Sequence, residues 1–143
     1  MNNYGFIFDI GDLIKEDQGT AQSFDINVKR KIDLGKEGSL NSPVNAKIIL
    51  MRVDEGINVE IENLQVKMEF ICARCMNRFE QKVNVPHAER MFFFNKQKGD
   101  IDVFDTFYVD MKNMTIDITD FLRQEIILHF PLIPVCSKSC KGL

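Results

Sequence analysis

The sequence is poor in the groups from which most enzyme active sites are built. Among its 143 residues there is no tryptophan, and there are two tyrosines and two histidines, so that His87 and His129 are the only imidazoles. It also lacks a glycine-rich phosphate-binding loop and the Gly-x-Ser-x-Gly and His-Glu-x-x-His motifs. These absences exclude the common catalytic motifs, and we expect that the protein is not an enzyme.

Long hydrophobic runs are missing as well. The longest uninterrupted apolar stretches are residues 48–51 and 91–94. Both are far shorter than the roughly 20 residues that a membrane-spanning helix needs. The first residues show neither the basic segment nor the long apolar segment of a signal peptide. We therefore expect no membrane association and a cytoplasmic location, where thiols are kept reduced.

There is no excess of positive charge. The chain has 18 Lys and Arg against 21 Asp and Glu, which gives a net charge of −3. A histone-like polycation is thereby excluded, and any contact with nucleic acid requires a local basic patch. The candidates are the segment 29–31 and four side chains beside the cysteines, Arg74, Arg78, Lys138 and Lys141. The alternative is that these are ordinary solvated surface charges.

What the sequence does contain is typical of one globular domain. Hydrophobic residues make up 45% of the chain and charged residues 27%, which argues against disorder. Its length is close to the commonest domain size, and no linker divides it, so we expect a single domain over residues 1–143. Twelve phenylalanines supply rings that can be buried without a hydrogen-bond partner.

Alternation of apolar and polar residues predicts a mainly antiparallel sheet. Every second residue is apolar over 57–62 and again over 64–70, and the change of phase at Asn63 predicts a bulge. Residues 46–53 are separated from 57–62 by Asp, Glu and Gly, which predicts a β-hairpin. Further strands are predicted around residues 24–28, 79–85 and 107–111.

One helix is predicted near the C-terminus, which makes the expected fold class α+β, with this helix packed on the sheet. Thr119 is the expected N-cap, and Asp120 in the first turn suits the helix dipole. Pro131 is expected to end the helix. A short helix is also predicted over residues 87–94. The apolar residues that trace the face of the C-terminal helix are Ile118, Phe121, Leu122, Ile126, Ile127 and Phe130.

The four cysteines form the sharpest pattern, as Cys72-Ala-Arg-Cys75 and Cys136-Ser-Lys-Ser-Cys140. Two such pairs can place four thiolates around one cation, and Zn²⁺ is the usual metal of such sites. About sixty residues separate the pairs, which is far more than in a zinc finger. Three interpretations are open: a zinc site, redox-active thiols, and four small side chains that pack without a ligand.

From residue 71 onward, the order of features resembles the YceD-like family, bacterial and plastid proteins named for the accumulation of large-subunit ribosomal RNA. The resemblance covers about half of the chain. It rests on Cys72-Ala-Arg-Cys75 followed by Phe79, on Ile116-Asp-Ile-Thr-Asp120, on Leu122-Arg-Gln-Glu-Ile-Ile-Leu128, on Phe130-Pro-Leu-Ile-Pro-Val-Cys136, and on Cys140-Lys-Gly-Leu143.

The resemblance implies a non-catalytic role in making or stabilising large-subunit rRNA, with rRNA, a pre-ribosomal particle or a large-subunit ribosomal protein as partner. We expect the C-terminal helix to bring the second cysteine pair towards the first, so that one metal site or thiol cluster ties the end of the chain to the sheet. The four basic side chains named above are then the candidate phosphate contacts. The alternative is a protein-interaction module with a structural zinc site and no RNA contact.

Overall fold

The computed structural model of the protein describes residues 6–29, 32–34, 39–40, 42–95 and 106–142. Within these ranges the fold is α+β, as predicted: strands dominate, and one α-helix lies near the C-terminus. The strands are β1 (Ile7–Asp9), β2 (Ala21–Val28), β3 (Ile32–Asp33), β4 (Ser39–Leu40), β5 (Val44–Val53), β6 (Gly56–Ile71), β7 (Arg78–Phe93), β8 (Phe107–Tyr108) and β9 (Thr115–Asp117); the helices are a 3-10 turn (Leu13–Lys15) and α1 (Thr119–Leu128).

The main sheet has five strands in the order β2-β5-β6-β7-β8. Its pairs are antiparallel except for β7 with β8, which are parallel over two residues. The predicted hairpin is confirmed as β5–β6, and β6 continues into a second, longer hairpin with β7. That hairpin extends from the pair Gly56 and Phe93 to the pair Ile71 and Arg78. The turn that follows Ile71 therefore lies at the far tip of the sheet.

The predicted bulge at Asn63 is confirmed. The pairing of β5 with β6 shifts between Asn45 and Lys47, and Asn63 has a left-handed backbone with a φ of 53°. Asparagine tolerates this conformation better than most residues. Because one extra residue is inserted, the apolar side chains after it, from Leu64 onward, return to the buried face of the strand.

The helix predicted over residues 87–94 is wrong, because β7 runs straight through Pro86. On its outer side β7 pairs with β8 only at Phe92 and Phe93. Among the described residues, most of β7 is therefore an edge strand. An edge strand tolerates Pro86, because the missing N–H of proline would otherwise have to donate to a neighbouring strand. Ala88 and Phe92 point to the core, while His87 lies exposed between Pro86 and Ala88.

The C-terminal helix is confirmed, but its N-terminal cap differs from the prediction. Thr119 is the first helical residue rather than the N-cap. The carboxylate of Asp117 accepts hydrogen bonds from the Thr119 backbone N–H, at 2.9 Å, and from the Thr119 hydroxyl, at 2.6 Å. The helix ends at Leu128, three residues before Pro131. The side chains of Phe121, Leu122, Glu125 and Ile126 form its buried face.

Phenylalanine rings connect the helix and the N-terminal segment to the sheet. Phe92 stacks on Phe107, with ring centroids 5.1 Å apart, and both rings contact Phe121 of α1. On the N-terminal side, Phe8 contacts Phe24 at 5.2 Å. Each buried ring contributes about 2–3 kcal/mol of transfer free energy, so these contacts hold α1 and β1 to the sheet. Among the described residues, none of the helices has the length and apolar character required to cross a membrane.

Candidate metal centre and the basic side chains around it

The first cysteine pair lies in a tight turn that joins β6 to β7, which we call the cysteine turn (residues 72–77). The Cys72 N–H donates to the Asn77 carbonyl at 2.8 Å, and the Met76 N–H donates to the Cys72 carbonyl at 2.9 Å. Met76 has a left-handed backbone with a φ of 63°, which reverses the chain direction. The turn thereby presents Cys72 and Cys75 on the same side.

The second pair belongs to the C-terminal tail (residues 129–142), which returns from α1 to the cysteine turn. Phe130 packs edge-to-face on Phe70, with ring centroids 5.2 Å apart. The Ala73 N–H then donates to the Pro134 carbonyl at 2.7 Å. These two contacts bring the tail beside the cysteine turn. The expected approach of the second pair to the first is therefore what the structure shows.

The four thiols converge. The Sγ atoms of Cys72 and Cys140 are 3.7 Å apart, and those of Cys75 and Cys136 are 3.8 Å apart. All four Sγ atoms lie within 4.8 Å of one another, and all four cysteines are free. A tetrahedron of sulfur atoms around Zn²⁺, with a Zn–S distance of about 2.3 Å, has edges of about 3.8 Å. The donor set and its spacing therefore fit a tetrathiolate zinc site.

Backbone N–H groups surround the most deeply buried of these thiols. The Cys72 Sγ accepts from the N–H groups of Cys75, Cys136 and Arg74, at 3.4–3.5 Å. These donors, led by the Cys75 N–H, lower the pKa of Cys72 to about 5. Neighbouring thiol groups, Cys140 first and then Cys72, raise the pKa of Cys136 to about 12. The backbone N–H groups thus stabilise a thiolate at Cys72. Four thiolates this close repel one another, and a bound cation is needed to hold all four in the charged form.

The geometry offers little support for a disulfide-exchange site. Such enzymes place Cys-x-x-Cys at the start of a helix, whereas Cys72 follows a strand. Cys72 is also fully buried, so a substrate sulfur has no path to it. The burial of Cys72 and its position after a strand therefore favour a metal ligand over an attacking nucleophile.

The structure places the four predicted basic residues at this end of the molecule, all exposed. The guanidinium of Arg74 donates to the Cys140 carbonyl at 2.9 Å, which links the cysteine turn to the tail. Arg78 forms a surface ion pair with Glu69 at 3.4 Å. Lys138 and Lys141, on the tail, form no ion pair with any described residue. The structural bond of Arg74 was missed by sequence reasoning, since no local pattern signals it.

Of the other basic candidate, the segment 29–31, only Lys29 belongs to the part of the chain that the structure describes. Arg30 and Lys31 lie outside the described residues. Lys29 is exposed just after β2.

Two further features of the tail were missed. Gly142 has a φ of +94°, and a Cβ there would approach the Arg74 carbonyl oxygen to 3.3 Å, so the tail lies directly against the cysteine turn. In addition, Leu132 and Ile133 are 101% and 70% exposed. The sequence signal for this second feature is an apolar pair enclosed by Pro131 and Pro134. Exposed apolar side chains of this size are suited to contact with a partner.

A second group of potential ligands lies on the solvent-facing side of the main sheet. Glu60 and Glu89 are opposite each other on β6 and β7, and His87 is nearby. The Nε2 atom of His87 and Oε1 of Glu60 are hydrogen-bonded at 3.0 Å. This hydrogen bond explains the closeness of these side chains without a metal.

Comparison with known protein families gives a match to the C-terminal part of the chain. A family described as large ribosomal RNA subunit accumulation protein YceD matches residues 63–143, which is more than half of the chain. The matched region begins at the β6 bulge and includes the cysteine turn, α1 and the tail. No curated protein and no solved structure matches the chain.

Proposed function

Because the chain belongs to the YceD family, we propose that it is a non-catalytic factor that supports the accumulation of large-subunit rRNA by binding that RNA within a pre-ribosomal particle. The family description supplies the link to large-subunit rRNA. To this link we add three proposals: direct contact with RNA, the absence of a catalytic step and a cytoplasmic site of action.

The observation that carries the proposal is the composition of the matched region. Residues 63–143 contain both cysteine pairs and all four basic side chains beside them. Lys138 and Lys141 are exposed and unpaired among the described residues. They concentrate positive charge at one end of a protein whose net charge is −3. Such a local cluster is what contacts to backbone phosphates require.

The proposal includes one structural Zn²⁺ held by Cys72, Cys75, Cys136 and Cys140. Zinc in such a site acts as a cross-link and contributes its binding free energy to folding. Here it links the cysteine turn to the tail, beside the contacts from Ala73 to Pro134 and from Arg74 to Cys140. Its role is to hold Lys138 and Lys141 in place next to the cysteine turn.

The test of RNA contact is the salt dependence of binding to a large-subunit rRNA transcript. We expect Lys138→Gln/Lys141→Gln to reduce the slope of log K against log salt by about 1.4, because each lost phosphate contact removes about 0.7 for single-stranded RNA. Arg74 is left unchanged because it holds the Cys140 carbonyl. The matched control is Lys15→Gln/Lys112→Gln, two exposed lysines that belong to neither the cysteine turn nor the tail. An unchanged slope in the first variant contradicts the proposed contact.

The cellular test is sedimentation of the tagged protein through a density gradient, with each fraction probed for precursor large-subunit rRNA. We expect the protein to migrate with pre-ribosomal particles at low salt, and to be released by high salt or nuclease. Recovery only at the top of the gradient, under gentle lysis and after cross-linking, would count against association with the particles.

A second candidate function is a zinc-stabilised module that binds a protein, such as a large-subunit ribosomal protein, and does not contact RNA. The exposed pair Leu132 and Ile133 favours it. This alternative predicts binding that is insensitive to salt and is lost in Leu132→Ser/Ile133→Ser. The RNA proposal predicts the opposite on both counts.

A further inference from the structure

Two lysines face each other on the solvent-facing side of the main sheet. Lys67 on β6 is the direct cross-strand partner of Lys82 on β7. Like charges in this position destabilise an antiparallel pair. Neither lysine forms an ion pair with any residue in the described ranges. The sheet therefore carries a like-charge pair that forms no ion pair within the described residues, although the next cross-strand pair on this face, Glu69 and Glu80, is acidic.

The two lysines line a cavity of about 300 Å³. The cavity lies where β5 begins at Val44 while β6 continues past its pairing with Asn45. Ser42 lies over this stretch of β6, and its Oγ accepts a hydrogen bond from the Lys67 backbone N–H at 2.8 Å. The chain segment before β5 and the β6–β7 hairpin thus form the walls of one polar site.

The lining suits an anion. Besides the two lysines, the residues that line the cavity include Asn45, Gln65 and Ser42, whose side chains carry amide and hydroxyl groups. The ammonium and amide groups can donate hydrogen bonds to a ligand, whereas the Ser42 hydroxyl donates to the Pro43 carbonyl at 3.4 Å. None of the described residues that line it is acidic. A tetrahedral oxyanion matches both the charge and the donors.

We infer that this cavity binds a phosphate group of the RNA backbone, as a second contact beyond the cysteine turn; this inference rests on the proposed function. Arg78 lies on the same face of β7 as Lys82, four residues away, which is about 13 Å at 3.3 Å per residue. Glu80, paired with Glu69, lies between them on this face, so an RNA strand that passes beside this acidic pair contacts the cavity and the end that carries the cysteine turn in succession.

The first measurement is RNA binding by Lys67→Gln/Lys82→Gln, with Lys15→Gln/Lys112→Gln as the matched control. We expect the test variant to bind a large-subunit rRNA transcript about 25-fold more weakly at 0.1 M salt and to lose about 1.4 from the salt slope, as two lost contacts to single-stranded RNA predict. The control is expected to bind like the wild type.

The second measurement is thermal stability, which separates a ligand site from a structural role. If the lysines are held together for a ligand, removing their repulsion raises the Tm by about 1–3 °C at low salt, and the gain shrinks as salt screens the pair. If Glu69 and Glu80, the next cross-strand pair, stabilise the lysines diagonally, the Tm falls instead. A fall in Tm overturns the inference.

The third measurement uses inorganic phosphate as the probe, followed by the backbone amide NMR signals of Ser42 and Lys67. We expect saturable shifts in the wild type and none in the double variant. The wild type could show phosphate-dependent shifts while Lys67→Gln/Lys82→Gln binds RNA as tightly as the wild type. That result would indicate a site for a free anion and would overturn the assignment to RNA.

If Lys138→Gln/Lys141→Gln weakens RNA binding while Lys67→Gln/Lys82→Gln does not, this inference fails and the proposed function stands. If the wild type binds no RNA, both fail.

Discussion

Met76 adopts a backbone conformation that is unfavourable for its residue type. Its φ of 63° lies in the left-handed region, which costs an L-residue about 1 kcal/mol, and its side chain is exposed, so packing recovers little of that cost. The conformation persists because the Met76 N–H and the Cys72 N–H both close the cysteine turn.

We therefore expect Met76→Gly to raise the free energy of unfolding by about 1 kcal/mol, since glycine adopts positive φ without strain. Met76→Ala is the control, because alanine keeps the strain and removes the same side chain. Chemical denaturation at constant zinc concentration measures both variants. Equal stability of the two variants would mean that the backbone at residue 76 is not strained.

Gly56, at the start of β6, is required for a different reason. A Cβ at this position would overlap the backbone carbonyl of Phe92 on the paired strand. Because backbone cannot move aside without breaking the ladder, we expect Gly56→Ala to cost about 2–3 kcal/mol of unfolding free energy. Gly11→Ala is the matched control, since its Cβ would meet only the flexible Asp9 carboxylate, at 3.2 Å. Similar losses in both variants would exclude a specific clash at Gly56.

At the scale of elements, the start of α1 depends on Asp117, which precedes the helix. Its carboxylate accepts from the Thr119 N–H and hydroxyl. We expect Asp117→Ala to cost about 1 kcal/mol, as is usual for loss of a capping side chain. Asp120→Ala removes the exposed ion pair with Arg123 and should cost only about 0.3–0.5 kcal/mol. Urea denaturation measures the loss of unfolding free energy in the two variants. A larger loss in Asp120→Ala than in Asp117→Ala would contradict the role of Asp117.

The elements also differ in how well their sequences predicted them. The period of two over β6 and the phase change at Asn63 predicted the strand and its bulge, because side-chain alternation is a local property of the backbone. The same rules failed for β7 after Pro86. Proline ends a strand inside a sheet but not along an edge, and whether β7 is an edge depends on how short β8 is.

At the scale of the molecule, the tail is held by groups that are far apart in sequence, and we predict that zinc is the strongest of them. Cys136→Ser is expected to lower the unfolding free energy in zinc-containing buffer, by about 2.7 kcal/mol where free zinc is 100 times its dissociation constant. A strong chelator should lower the wild type to the same level. Calorimetry and the hydrogen exchange of the Ala73 N–H, which donates to Pro134, both report this change.

The control for the zinc prediction is Ser139→Ala, which changes a neighbouring exposed side chain of the tail. It should leave stability unchanged with and without chelator. If Cys136→Ser costs the same in both buffers, the four cysteines pack without a metal, and the charge cluster has to be held by the Ala73 and Arg74 contacts alone.

The sequence by itself determined the α+β class, the β5–β6 hairpin, the bulge at Asn63 and the helical face of α1, because each depends on spacing between near neighbours. It also indicated that the two cysteine pairs would meet. Only the tertiary structure decided that β1 pairs with β9, that Arg74 holds the Cys140 carbonyl, and that Lys67 faces Lys82 across a cavity. Those arrangements depend on register and chain path between distant segments, and no local pattern in the sequence encodes them.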